Sequence, residues 1–459
     1  LVGRPVLRHI QLIAVALTKG LAQRRTLEPV LAIPVEVGEL LIRQLVEPAI
    51  GRSDKGQADK GECHHHAERS EGHLQAQRLQ YLAEGAVGRI QRGKCDAGNR
   101  SRHCKQYRQT PTLSIYGNAI MQLIDPFGRT VRDLRISITD RCNFRCTYCM
   151  PEEGMTWLDR DQILTFEEIE RLATICVHRF DVDSIRLTGG EPTVRAHLPM
   201  LIEKLAQLKV PSTAKSPLAG KNVDIALTTN GATLRLIADE LKAAGLSRIN
   251  ISLDTLQSER FFKITRRNHL DNVLDGIDAA IQAGFSPVKI NAVIQRGVND
   301  DEILALASFG RDKKVEVRFI EFMPLDAQGQ WQSKDVVGQD EIVATINSVF
   351  PLEQVASRGA APADRWRYLD GAGTVGVIPS VTKPFCGDCD RVRLTAEGQF
   401  RTCLFSTTEF DLRAMLRSGA TDDAIAAEIA RAVGTKWAGH AIGNVTFVRP
   451  KRSMSQIGG

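Results

Sequence analysis

The sequence predicts an α/β fold in which strand and helix alternate about six times, and three observations predict it. Six short runs rich in β-branched and aliphatic residues recur from residue 134 onward, and stretches with a helical repeat separate them. The segments that look unlike core, such as TDRC, GGEP and TNG, fall just past the C-terminal ends of those runs. Parallel strands joined by helical crossovers make either an open doubly wound sheet or a barrel, and both place their active sites at that edge.

The first run, LRISIT (134–139), ends at TDRC. In the following TFEEIERLATICVHRF, Thr165 and Glu168 form a T-x-x-E capping box, and Ile169, Leu172, Ala173 and Cys176 repeat at helical spacing. Cys176 therefore reads as a small core residue. SIRLT (184–188) leads into GGEP, and residues 209–222, with two prolines and no periodicity, read as a solvated loop. DIALTT (224–229) ends at TNG, and a helix is expected from Thr233 to Gly245. RINISL (248–253) ends at SLD, and HLDNVLDGIDAAIQAG is a second helix stopping at glycine, here Gly284. VKINAVI (288–294) and VEVRFIEF (315–322) follow, the last ending at Met323 and Pro324.

Composition narrows the function classes. A quarter of the residues are charged and 43% are apolar, as in soluble globular proteins, and no run of 18 or more apolar residues suggests a membrane span. The net charge of +6 divides unevenly: residues 1–120 carry +7 and residues 121–459 carry −1. The larger part has no electrostatic footprint for a polynucleotide, so nucleic acid is not an expected partner.

Residues 1–120 hold three aromatics, all Tyr, and the first methionine of the chain is Met121. The expectation is an atypical basic leader outside the native fold, with the natural start at Met121. Two competing readings are a targeting peptide at the extreme N-terminus and a metal site at Cys63, His64, His65, His66 and His73.

Six of the ten cysteines fall into two tight groups, Cys142, Cys146 and Cys149, then Cys386, Cys389 and Cys403. Such grouping favours metal ligation in a reducing compartment, by default the cytoplasm, over disulfides. Three thiolates can hold three corners of a cubane iron–sulfur cluster, leaving the fourth iron open to a small molecule. A structural zinc site would want four protein ligands, and no fourth Cys or His is near either group in sequence.

CNFRCTYC (142–149), with Tyr148 before the last cysteine, together with GGEP (189–192), resembles the radical S-adenosylmethionine (SAM) enzymes. LRISITDRCNFRCTYCMP, FCGDCDRVRLTAEGQFRTC and the terminal Gly458 and Gly459 narrow the resemblance to the GTP 3′,8-cyclases of molybdenum cofactor biosynthesis, over about residues 121–459. The resemblance implies a partial (βα)6 TIM-like barrel over 121–330, and a C-terminal region, 331–459, carrying a second cluster and the GTP site. It implies two [4Fe-4S] clusters: one on Cys142, Cys146 and Cys149 that holds SAM, and one on Cys386, Cys389 and Cys403 that holds the purine of GTP.

The resemblance further implies that Tyr148, Gly190, Ser252 and Met323 contact SAM. It assigns Arg135, Arg186, Thr228, Lys289, Arg391, Val392 and Arg393 to GTP, with Arg318 as a further candidate. Arg391 and Arg393, two apart on an extended RVRL, would face the same way, and guanidinium forks suit phosphate oxygens. Gly458 and Gly459 would reach the active site. Expected partners are GTP, an external electron donor, a downstream cyclic pyranopterin monophosphate synthase and a second copy of the chain. The competing readings are another radical SAM enzyme with an auxiliary cluster and, from a different class, a non-catalytic iron–sulfur sensor or a nucleic-acid-binding protein using the basic leader.

Overall fold

Strands whose side chains alternate polar and apolar can bury one face under helices and leave the other lining a wet interior, and that pattern organises this chain. The computed structural model describes residues 122–326, 328–356, 358–442 and 447–458. The leader with its histidine cluster, Met121 and Gly459 lie outside the described residues.

Within that range, β1 (Asp133–Ser137), α1 (Phe166–Phe180), β2 (Ser184–Thr188), α2 (Leu198–Ala206), β3 (Asp224–Thr229), α3 (Ala238–Ala243) and β4 (Arg248–Ser252) come in order. α4 (Ser258–Thr265), α5 (Leu270–Gln282), β5 (Val288–Ile294), α6 (Ile303–Lys313) and β6 (Glu316–Glu321) complete the repeat. The six expected strands are all present. Thr165 caps α1 as its sequence predicts, accepting the Glu168 N–H at 3.2 Å while the Glu168 carboxylate accepts the Thr165 N–H at 2.8 Å. The helix expected over 233–245 instead splits into a single 3-10 turn, Leu234–Leu236, and the short α3. Leu234, Ala238 and Leu241 are buried while Leu236 is largely exposed, so the apolar run does not present one continuous stripe.

The remaining elements are α7 (Gln339–Asn347), β7 (Leu352–Gln354), β8 (Asp364–Tyr368), β9 (Thr374–Ile378), β10 (Arg391–Leu394), β11 (Gln399–Arg401), β12 (Phe410–Asp411), α8 (Leu412–Arg417), α9 (Asp422–Val433) and α10 (Met454–Ile457). They extend the sheet at both ends, to the order β12-β11-β10-β1-β2-β3-β4-β5-β6-β9-β8-β7. β10 and β9 run parallel to their neighbours β1 and β6, while the outer strands are antiparallel. The C-terminal region thus flanks the six-stranded array on both sides, and the sheet ends in two edges, as expected of an incomplete barrel.

The outward faces of the strands form the core with the helices. Leu134, Ile136, Ile185, Leu187, Ile225, Leu227, Ile249, Ile251, Ile290 and Phe319 are all at most 1% exposed. The opposite face is polar. Register places Arg393, Arg135 and Arg186 side by side across β10, β1 and β2, and Ser252, Asn291 and Arg318 across β4, β5 and β6. An ordinary (βα) barrel fills its interior with branched aliphatic side chains. This one places charge there, which costs stability unless something answers it.

Candidate active site

The loop after β1 carries the first three thiols, and its conformation is set by backbone hydrogen bonds to α4. Arg145 N–H donates to the Thr265 carbonyl at 3.0 Å and Thr147 N–H to the Ile264 carbonyl at 2.9 Å. A tight turn, Cys149 N–H to the Cys146 carbonyl at 2.9 Å, brings the last two cysteines to one side. The GGEP loop after β2 locks on from the other direction, with Gly190 N–H on the Thr139 carbonyl at 2.9 Å and Glu191 N–H on the Arg141 carbonyl at 2.8 Å. A Cβ at Gly190 would overlap the Arg141 carbonyl, so glycine is required where the two loops meet.

Glu191 was not singled out by its sequence. Its buried carboxylate accepts from Thr193 Oγ1 at 2.6 Å, Thr229 Oγ1 at 2.7 Å and Asn230 N–H at 2.6 Å, tying the loop after β2 to the end of β3. Asp254, the last residue of SLD, does the same for the cysteine loop. It accepts from Tyr148 Oη at 2.6 Å and from Val293 N–H at 2.8 Å. Burial pushes the Asp254 carboxyl up to about 6. Both acids were legible as residues next to strand ends, but nothing in one sequence distinguishes a brace from a ligand.

All six grouped cysteines line a single cavity of about 310 Å³. Tyr148, Gly190, Ser252 and Met323, expected at SAM, line it as well, as do Arg135, Arg186, Thr228, Arg318, Arg391 and Arg393, expected at the nucleotide. Lys289 does not border the cavity, but it lies on the same face of β5 as Asn291 and Val293, which do. Val392 differs from its neighbours: strand alternation turns its side chain away from the two arginines into the hydrophobic core, where it is fully buried, so a contact to the nucleotide would fall to its backbone. Asn250, Asn291, Phe385, Phe405 and His440 also line the cavity without having been anticipated.

The electrostatics call for anions. The Nε atoms of Arg135, Arg186, Arg391 and Arg393 are buried without a hydrogen-bond partner. Burial holds Arg186 down at about 9. It works to raise the Asp133 carboxyl, yet the guanidinium groups of Arg135, Arg186, Arg391 and Arg393 outweigh it and hold that carboxyl below its ordinary value. Four clustered guanidiniums with unused donors match the charge and fork geometry of a polyphosphate.

The thiols match clusters. Burial pushes Cys142 up to about 12 and Cys149 up to about 11, so their ligating thiolate form calls for an adjacent metal charge. Among the described residues, no three His, Cys, Asp or Glu side chains converge as one metal ion requires. In a cluster each thiolate binds a different iron. The residues present fit two clusters, a sulfonium cofactor and a nucleotide in one chamber.

Comparison with known proteins agrees with this geometry. Residues 136–310 match the radical SAM superfamily and residues 315–442 match the molybdenum cofactor synthesis C-terminal family. GTP 3′,8-cyclase of Streptomyces coelicolor is 48% identical over 73% of this chain and 96% of its own length. Those of Corynebacterium glutamicum and Rhodopirellula baltica are each 48% identical, over 75% and 73% of this chain and 90% and 92% of theirs. With both cysteine groups and the arginine cluster facing one chamber, and with these relatives matched over nearly their whole length, the chain belongs to the GTP 3′,8-cyclase family of radical SAM enzymes.

Proposed function

We propose that this chain converts GTP to (8S)-3′,8-cyclo-7,8-dihydroguanosine 5′-triphosphate, cleaving SAM to methionine and 5′-deoxyadenosine, with its residues in the following roles. The observation that carries the assignment is the sharing of one chamber by two cysteine triads and a cluster of arginines with unused donors. Cys142, Cys146 and Cys149 hold one [4Fe-4S] cluster, and Cys386, Cys389 and Cys403 hold the other. When bound, these clusters supply the electron that generates the 5′-deoxyadenosyl radical and a Lewis-acidic iron for the purine.

The protein's share is binding, orientation and exclusion of water. Tyr148, Gly190, Ser252 and Met323 surround SAM near the first triad. Arg135, Arg186, Arg391 and Arg393, with Thr228, Lys289 and Arg318, hold the triphosphate. Separate anchoring of base and phosphates at opposite ends fixes the ribose between them, so that the C3′ hydrogen faces the radical and C8 stays within reach of C3′. The C-terminal Gly458 and Gly459 are assigned to the active site on the family pattern, and Gly458 packs against β1 and β2 beside it. In the cell, an external reductant supplies electrons and a cyclic pyranopterin monophosphate synthase consumes the product; a homodimer in the cytoplasm is the proposed assembly.

Anaerobic reconstitution with iron and sulfide, followed by SAM, a strong reductant and GTP, tests the proposal. Formation of 5′-deoxyadenosine that depends on GTP, with a cyclised guanine nucleotide, is expected. Turnover indifferent to GTP would leave the class and remove the substrate.

A further inference from the structure

The second triad is gripped from behind by two buried cations that neither the cavity nor the sequence motifs point to. Arg129, paired with Asp125, donates through its guanidinium to the Cys386 carbonyl and to the carbonyls of Trp437 and Ala438. Lys436, 3% exposed, donates to the Cys389 carbonyl at 3.0 Å and to the Arg391 carbonyl at 2.8 Å. Each cysteine of the C-x2-C pair thus has its backbone oxygen held by a separate positive side chain.

The two cations differ in one respect. Arg129 has its carboxylate partner, whereas no carboxylate lies within ion-pair distance of Lys436 among the described residues. Carbonyl dipoles satisfy two of its donors but do not neutralise its charge, and a buried ammonium without a counter-ion is costly. A [4Fe-4S]2+ core with three thiolates carries net negative charge, and reduction adds one more. The compensating anion belongs immediately beyond the carbonyl of Cys389.

We propose that Lys436 is a positioning residue and the counter-ion of the second cluster, raising its reduction potential by stabilising the more negative reduced state. The inference rests on the reading that the second triad holds a cluster. It predicts that charge at position 436, beyond the mere presence of a hydrogen-bond donor, sets the potential.

The test is a redox titration of the reconstituted holoenzyme by electron paramagnetic resonance, with iron content measured in parallel. Wild type with about eight iron atoms per chain and two clusters is the precondition; about four iron atoms would sink the cluster reading itself. In Lys436→Gln, which keeps N–H donors without charge, the reduced-to-oxidised ratio of the second cluster at fixed potential should fall at least about tenfold, a 59 mV shift for a one-electron couple. The first cluster should not move, and Lys436→Arg should restore the wild-type value.

Selective loss of the second cluster in Lys436→Gln, with loading restored in Lys436→Arg, would also support the proposal. Two loaded clusters with an unshifted potential in Lys436→Gln would overturn it, as would failure of Lys436→Arg to restore loading. If Lys436→Gln loses both clusters, Lys436→Met is read by the same titration and the same criteria.

Discussion

At the residue scale, the guanidiniums illustrate how a buried donor without an acceptor becomes informative. Arg393 is 6% exposed and its Nε lacks an acceptor, so a bound triphosphate would complete a hydrogen bond that the folded protein leaves open. Replacing it with alanine should remove one charge-assisted bond, about 1.5–3 kcal/mol, and weaken GTP binding roughly tenfold to hundredfold. GTP-independent SAM cleavage should persist, since Arg393 is among the residues proposed to hold the nucleotide; calorimetric GTP binding that matches wild type would refute the role. Lys289 gives a prediction with a sign. Burial, then the nearby charge of Arg318, lowers its ammonium to about 7, against the opposing pull of Glu316. The free protein therefore loses this charge as pH rises through 7, while bound phosphate favours the charged form and raises the pKa. Binding between those two values takes up a proton, so GTP affinity should fall several-fold, on the order of tenfold per pH unit at most, as pH rises from 7.5 to 9. Lys289→Arg, which stays charged, should flatten that slope. An unchanged slope in the variant would locate the titration elsewhere.

At the element scale, the strands and the loops at their ends were legible for different reasons. β2, β3 and β5 match their expected spans because each has its own aliphatic outer face and a flanking boundary signal. The interior arginines and asparagines sit at alternate positions, which the sequence shows once the strand is known. Of the strands β7 to β12 only the extended RVRL of β10 was anticipated, since β7, β11 and β12 are only two or three residues long and their pairing partners are distant in sequence. Val392 was grouped with its arginine neighbours by family pattern, although the two-residue period that brings Arg391 and Arg393 together sends it to the core. Gly190 was legible as a residue beside a strand end, but the contact that demands glycine is with Arg141, 49 residues away and visible only in three dimensions. That contact makes a prediction about loops. In Gly190→Ala the added methyl must displace residues 140–141, an overpacking of about 1–3 kcal/mol. The cysteine loop begins at residue 142, so the first triad should lose its geometry. Iron content should drop by about four atoms per chain with the second cluster retained; full loading with wild-type spectra would show that the loops tolerate separation.

At the scale of the whole molecule, the last described residues lie beside the site. After α9 the C-terminal segment returns to the mouth of the barrel, and α10 places Ser455 and Ile457 in buried positions, with Ser455 beside the cavity. Ser453 and Ser455 share a 3.0 Å hydrogen bond, and Ser455 Oγ lies 3.4 Å from Met155 Sδ, which anchors the segment to the region following the first cysteine loop. Gly458 then adopts φ +78°, a left-handed conformation that disfavours side chains, and its N–H donates to the Met454 carbonyl at 3.2 Å. A Cβ on Gly458 would overlap Ser137 Oγ on β1 and press on Thr188 of β2, the two strands whose ends bear the cysteine and GGEP loops. The tail is therefore packed against the roots of both loops and leaves no room for a methyl group. Ser455 hydrogen-bonds Cys149 of the first triad, whereas the atoms nearest to a side chain at Gly458 belong to Ser137 and Thr188 and not to a cysteine. Gly458→Ala should therefore bind both clusters at wild-type iron content and retain GTP-independent SAM cleavage. Its GTP-dependent cyclisation should fall roughly tenfold to hundredfold, the rate equivalent of about 1–3 kcal/mol of overpacking where the tail meets the roots of the two site loops. Product analysis by mass spectrometry separates the outcomes: wild-type yield of cyclised nucleotide would mean that the tail merely rests on the barrel, and loss of iron would mean that it holds the loops rather than the substrate.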